Sequence, residues 1–470
     1  MAWRPLSVIV VVLVLVLLVV SPMYGYHRDE LYFRLLADHP AWGYVDQPPL
    51  TPMVARAAIA LFGDTLTAIR VPAALMAAAF TVLVTMICRE LGGGRYAQIL
   101  AAAGTATGVF TLIAGHVLLT LSADLPLWAA AILFVLRALL RGDGRWWLAA
   151  GAVIGLATYN KHLIALLVIG LAAGLLAAGP RAVLRSPWLW AGAALAVALA
   201  VPNLVYQVTH DWPQLKMAAA LSENKGGEFR ILFVPMQLVL FGPVVAVIAW
   251  FGFLRMWRDR RVRALAVAYP VAAALTLISG GRFDYTAGLL AMLFAAGCVS
   301  VAESWQPRTA AVALGINGVI GALVALPLLP VQAVAATPIP QMNEVVRESI
   351  GWPSFAERVS AVLKKAPQGS IVLTGSYGEA GALDLAGLPG VYSGQNQLFE
   401  YGPPPETATS AVAVKLPKAG LERFFTSCTE MARTDNGLDV DNEFQDLPIF
   451  VCTGLKGSWR QMWPHFQHYD

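Results

Sequence analysis

With 470 residues, 57% hydrophobic and only 13% charged, and a mean hydropathy of +0.62, the chain falls outside the ordinary soluble class, and most of it is dissolved in lipid. The formal net charge of +4 is small for this length. No cluster of interleaved Lys, Arg and aromatic residues offers a nucleic-acid groove, so nucleic acid is set aside as a partner.

The N-terminus, MAWRP followed by the apolar run from Leu6 to Val20, has the charged flank and apolar core of a secretory signal. The following SPMYGYHRDE lacks a small-x-small cleavage site, so an uncleaved first span is expected. The stretch Tyr24 to Pro52 then carries Asp29, Glu30, Asp38 and Asp46 with His27, Arg28 and Arg34. Residues Asp29 to Asp38 read as a helix lying along the membrane surface. Leu31, Tyr32, Leu35 and Leu36 share its apolar face, and Glu30, Arg34 and Asp38 stack at spacings of four as ion-pair partners. Asp29 has Phe33 four residues on and no such partner, which leaves it free to accept a proton from a substrate hydroxyl. Trp42 and Tyr44 are expected as headgroup-level anchors. The rigid Pro48-Pro49 turn would fix Asp46 as a second carboxylate, suited to a divalent metal or a sugar hydroxyl.

Further apolar segments lie near 67–88, 96–114, 119–140, 147–160, 162–179, 187–207, 231–254, 264–279, 285–302 and 309–333, for about eleven spans in all. Alternate connections are rich in Arg: RELGGGR, RGDGR, PRAVLRSP, RMWRDRRVR and ESWQPR. The positive-inside rule makes these cytoplasmic, so the acidic first loop faces outward, and the odd span count leaves the C-terminal tail there too. Three later features share the outward side. Asp124, in SADLPLW, enters a span just before Pro126, either as a helix-capping acid or as a functional one. Lys161 and His162, in GLATYNKH, could meet a lipid-linked phosphate or be an interfacial lysine and its neighbour. Arg282, in SGGRFDY, is a second phosphate-binding group or the partner of Asp284.

From about Val334 the chain changes character, with fewer apolar runs and more charge. SIVLTG, AVAVKLP and LPIFVCTG read as strands, with EAGALDLAG and LERFFTSC helical between them. The expected organisation is a membrane domain over 1–333, whose first outward loop is 24–66, and a small outward α/β domain over 334–470. TGSYGEAG follows a strand and opens a helix, but its glycines fit neither nucleotide fingerprint, so a tight turn is expected there. Cys428 and Cys452 lie in the outward domain, where a disulfide could persist, whereas Cys88 and Cys298 fall near cytoplasmic span ends.

RDELYF, YVDQPPL, SADLPLW and GLATYNKH, in that order, resemble the polytopic glycosyltransferases that include the protein O-mannosyltransferases and the aminoarabinose transferase acting on lipid A. GSYGEAGALDLAG and VYSGQN are similar to bacterial members with an outward C-terminal domain. The resemblance implies the GT-C architecture, mostly α, and transfer with inversion on the outer face of the plasma membrane. The implied donor is a polyprenyl-phosphate-linked hexose or pentose, and the acceptor a glycan, glycolipid or protein hydroxyl. Carried over by motif, Asp29 is the base, with Glu30 beside it. Asp124 and Lys161 match the acid and the phosphate-facing lysine of later motifs, and Asp46 the acid that in some relatives helps hold a divalent metal. Gln47 stands where the lipid A enzymes carry a lysine, which argues against aminoarabinose transfer to lipid A. The competing class is a transporter or flippase of a lipid-linked sugar. Such proteins place ionisable groups at mid-membrane within a repeated architecture, whereas here the acids sit at outer span ends and no repeat is evident.

Overall fold

A computed structural model describes residues 1–469. Its membrane part is built from α1 (Trp3–Val20), α2 (Arg28–Asp38), α3 (Leu50–Phe62), α4 (Leu66–Glu90), α5 (Arg95–Ala106), α6 (Val109–His116), α7 (Thr120–Leu140) and α8 (Trp146–Ala157). It continues through α9 (Ile164–Ala178), α10 (Pro187–Thr209), α11 (Pro213–Val239), α12 (Pro243–Arg258), α13 (Arg263–Ser279), α14 (Ala287–Ser304) and α15 (Pro307–Ala325). Each expected span falls on one of these apolar helices or on a bent pair. Among the described residues, however, only 6 helices are long and apolar enough to cross a membrane, or up to 8 if the pairs α5 with α6, bent by 55°, and α11 with α12, bent by 87°, each count as one span. The expected count of about eleven is therefore not reached by length alone. At about 1.5 Å per residue α8 and α9 extend roughly 18 and 22 Å, short of the ~30 Å hydrocarbon thickness.

The two ends of the bundle differ in chemistry. At one, Glu90 accepts from Arg137 (3.1 Å) and Arg141 (3.0 Å), the Tyr96 hydroxyl donates to the Pro307 carbonyl (2.9 Å), and Arg255 pairs with Glu303 (2.8 Å). The Arg-rich connections thus share one end. At the other end lies α2.

Short helices α16 (Val331–Ala335), α17 (Ile339–Met342) and α18 (Glu344–Arg347) lead to α19 (Trp352–Leu363) and the small C-terminal domain. There β1 (Ile371–Thr374), α20 (Tyr377–Leu385), β2 (Val391–Ser393), α21 (Asn396–Glu400), β3 (Ser410–Val414), α22 (Lys418–Phe424), β4 (Phe425–Arg433), β5 (Pro448–Leu455) and α23 (Trp459–Met462) follow. The described strands form one sheet in the order β2-β1-β3-β5-β4, parallel through β2, β1 and β3 and antiparallel through β5 and β4. The three expected strands and the EAGALDLAG helix are present. LERFFTSC is helical only as far as Phe424, because FTSC begins the edge strand β4, and β2 was not anticipated. Cys428 and Cys452 face each other across β4 and β5 and are disulfide-bonded, while Cys88 and Cys298 are free and buried.

The helix expected at Asp29–Asp38 forms one residue earlier. His27 caps it, its imidazole accepting from the Asp29 N–H (3.2 Å) while Glu30 accepts from the His27 N–H (2.9 Å). It does not lie on an open membrane surface. Leu31 packs into the C-terminal domain with Trp352, Phe355 and Phe444, whereas Tyr32, Phe33 and Leu36 pack with Ile69, Ala73 and Leu118 of the bundle. Buried on two sides, α2 is the joint between membrane part and domain. Tyr44 is likewise core, its hydroxyl donating to the Leu36 and His39 carbonyls, and only Trp42 remains exposed as an anchor would.

Candidate active site

A cavity of about 1190 Å³ opens beside α2. Asp29, Asp46, Lys161, His162, Arg282 and Tyr377 line it. It continues along α8 and α9 past Ile154, Gly151, Leu167 and Leu171, residues at helical spacing that turn it into an apolar groove. The sequence-distant motifs meet here through the backbone of the YNKH turn. The Leu50 N–H donates to the Tyr159 carbonyl (2.8 Å), the Thr51 hydroxyl donates to Asn160 Oδ1 (2.9 Å), and Asn160 Nδ2 donates to the Thr120 carbonyl (2.9 Å). One asparagine therefore ties α3, the turn and the start of α7 together, and Lys161 follows it directly.

Asp29 is about a third exposed, but it is not the unpartnered acid expected from helix spacing: Oδ1 accepts from the Tyr377 hydroxyl at 2.9 Å, and Arg28 Nε lies 3.8 Å away. Asp46 Oδ1 accepts from the Tyr32 hydroxyl at 2.8 Å. Burial raises the Asp46 carboxyl to about 6, with the Tyr32 hydrogen bond opposing the shift and the charge of Asp29 adding to it. Lys161 has no carboxylate in salt-bridge range among the described residues, and its ammonium sits 5.6 Å from the centre of the Tyr285 ring. His162 Nε2 is 2.7 Å from Asn203 Oδ1, and Arg282 Nε is 3.2 Å from Asp284 Oδ1, so Arg282 is ion-paired yet still lines the cavity.

Two expected site residues are placed elsewhere. Glu30 is fully buried and lies outside the cavity lining; instead of stacking with Arg34, it takes Arg70 in a two-pronged pair (2.9 and 2.8 Å) and accepts from the Leu118 N–H (3.0 Å). With those oxygens occupied, it holds α2 against α4 and does not face a substrate. Arg34 pairs instead with Asp64. Asp124 also lies outside the lining. The helix begins at Thr120, so Asp124 stands in its second turn and caps nothing. It is buried, its Oδ1 has no hydrogen-bond partner among the described residues, and Lys161 and Asp284 are its electrostatic neighbours.

The sequence reading missed Tyr377, Arg28, Lys225 and Glu344, which also line the cavity. Arg28, named among the charges of the first loop without a role, pairs with Glu344 (2.9 Å) and with Glu443. Lys225 fell in a stretch read as a loop, which is the 27-residue helix α11. As for a metal at Asp46, among the described residues no group of three His, Cys, Asp or Glu side chains could hold one. One Asp46 oxygen accepts from the Tyr32 hydroxyl.

Residues 46–206 match the family described as dolichyl-phosphate-mannose-protein mannosyltransferase. A search of curated proteins gives no match. Solved structures with a similar fold include ArnT from Cupriavidus metallidurans in the apo state, 15% identical over 95% of this chain and 97% of that one, with a TM-score of 0.62. The same protein bound to undecaprenyl phosphate is 16% identical over the same shares, with a TM-score of 0.60. The oligosaccharyltransferase AglB from Archaeoglobus fulgidus, in complex with an inhibitory peptide and a dolichol-phosphate, is 13% identical over 88% of this chain and 69% of that one, with a TM-score of 0.51. The family match over residues 46–206 and the fold shared with ArnT and AglB point the same way as the motifs YVDQPPL, SADLPLW and GLATYNKH.

Proposed function

We propose that the chain transfers a sugar from a polyprenyl-phosphate carrier to an acceptor hydroxyl at the outer face of the membrane, by a single displacement with inversion. The observation that carries this reading is the continuity of one cavity from a polar head to an apolar groove. A lipid phosphate has that same division: isoprenoid units for the groove along α8 and α9, and a charged phosphate for the head. The undecaprenyl phosphate bound by ArnT and the dolichol-phosphate bound by AglB are ligands of this kind. The outward orientation rests on the Arg-rich connections gathering at the end opposite α2.

In the displacement, Asp29 takes the acceptor proton as the acceptor oxygen bonds to the anomeric carbon. The bond from that carbon to the phosphate oxygen breaks, and the phosphate leaves against Lys161, whose ammonium has no carboxylate in salt-bridge range among the described residues. Arg282 adds positive field, and Asp46 is placed to accept from a sugar hydroxyl. His162 orients the YNKH turn through Asn203. Asp124 lies outside the lining as an electrostatic neighbour of Lys161 and acts on the site only through it. Purified protein in vesicles, given radiolabelled undecaprenyl-phosphate mannose, glucose and aminoarabinose with membrane acceptors, tests this. Label moving into a glycan, glycolipid or protein is expected. Relocation of intact donor without transfer would show a flippase instead.

A further inference from the structure

The glycines of TGSYGEAG, which the sequence reading assigned only to a turn, have a structural purpose between domain and membrane part. A Cβ on Gly378 would come 3.0 Å from the Arg28 Cβ, and one on Gly381 would come 2.8 Å from the Leu31 backbone. Both glycines lie on the face of α20 that meets α2, and their missing side chains let the two helices touch almost backbone to backbone. That contact fixes where Tyr377, the first residue of α20, can reach.

The loops that leave the parallel strands converge on the same place. After β1 comes Tyr377, whose hydroxyl donates to Asp29 Oδ1 at 2.9 Å. After β2 comes Gln397, whose N–H donates to the Tyr32 hydroxyl (3.3 Å) and whose side-chain oxygen accepts from the Val45 N–H (3.0 Å). After β3 comes Lys415, 2.9 Å from Glu443, which in turn holds Arg28. The carboxyl edge of parallel strands is where open α/β sheets bind ligands; here that edge is filled by α2 and the first outward loop. The Tyr377 and Tyr32 rings stack at 4.5 Å, so one tyrosine from each part holds one cavity carboxylate, Asp29 or Asp46.

We propose that Tyr377 is a positioning residue for the transfer reaction: its hydroxyl holds the Asp29 carboxylate in the orientation that meets the acceptor proton, so that the C-terminal domain completes the active site. This rests on Asp29 being the base. A carboxylate with one oxygen pinned presents the other in a fixed direction, and losing that restraint costs rate at the chemical step while leaving the lipid groove intact.

The test compares full-length wild type, Tyr377→Phe and Asp29→Asn in vesicles, using the undecaprenyl-phosphate sugar that the wild type transfers. Binding of undecaprenyl phosphate itself is measured alongside. Phenylalanine keeps the stack on Tyr32 and removes only the hydroxyl. The expected result is a ten- to hundredfold fall in kcat for Tyr377→Phe, with KM for the donor and Kd for undecaprenyl phosphate within about twofold of wild type. Wild-type kcat in Tyr377→Phe beside an inactive Asp29→Asn overturns the role of Tyr377 alone. A change confined to KM, or lost undecaprenyl-phosphate binding, marks Tyr377 as a wall of the cavity and overturns it too. Full transfer by Asp29→Asn removes the base and this proposal together.

Discussion

Replacing Glu30 by Gln separates architecture from chemistry at the most acidic part of the chain. Glu30 and Arg70 are both essentially inaccessible, and the guanidinium makes two bonds to Glu30 and others to the Ser21 (2.6 Å) and Gly25 (2.7 Å) carbonyls. The substitution would leave a buried guanidinium with its carbonyl partners and no counter-charge. Breaking one side of a buried pair costs about 3–5 kcal/mol. The retained amide oxygen still accepts one of the bonds, which puts the loss near the lower figure. Unfolding followed by SDS titration in mixed micelles should therefore show Glu30→Gln about 3 kcal/mol less stable than wild type. The double variant Glu30→Met with Arg70→Met should recover part of the loss, because no unpaired charge remains. In vesicles below the unfolding threshold, Glu30→Gln should keep most of its transfer per folded molecule. Unchanged stability with abolished transfer would refute the reasoning and return Glu30 to the reacting groups.

Further predictions concern the cavity. Lys161→Met removes one charge-assisted contact, about 1.5–3 kcal/mol, and should weaken undecaprenyl phosphate binding roughly ten- to hundredfold while leaving binding of the uncharged undecaprenol alone; equal losses for both lipids would place Lys161 outside the phosphate site. Asp46 has a folded-state pKa of about 6, raised above the unfolded value by burial. Its ionisation therefore opposes folding: the penalty is absent below the unfolded pKa and grows as pH rises through about 6. Asp46→Asn should be stabilised relative to wild type by about 1–3 kcal/mol at pH 7.5, with the difference shrinking towards pH 4.5; a constant difference across that range would contradict the assignment.

What the sequence disclosed was what short-range pattern can carry. The helical spacing of Leu31, Tyr32, Leu35 and Leu36 gave α2, the apolar runs gave the bundle, and the apolar stretches in SIVLTG and LPIFVCTG gave β1 and β5. Partners distant in sequence were out of reach. Glu30 has Arg34 within a helical turn and was paired with it on paper, yet Arg70, 40 residues away, offers a buried two-pronged geometry that no exposed i, i+4 contact can match. Tyr377 lies 348 residues from Asp29, and its only local signal was the glycine spacing around it. The strand β4 was missed because most of its residues are exposed, which leaves little hydrophobic alternation to read. Of the two alternatives for Asp124, the capping one fails: Pro126 suggested a later helix start, whereas α7 begins at Thr120 and carries that proline inside it.

The most direct test of the central claim is transfer by Asp29→Asn. Asparagine keeps the size of the side chain and an oxygen to accept from Tyr377, but it cannot take a proton from the acceptor. Sugar transfer from undecaprenyl phosphate should fall at least about a hundredfold, consistent with the loss of a general base, while undecaprenyl phosphate still binds with wild-type affinity. Transfer at the wild-type rate would contradict the account.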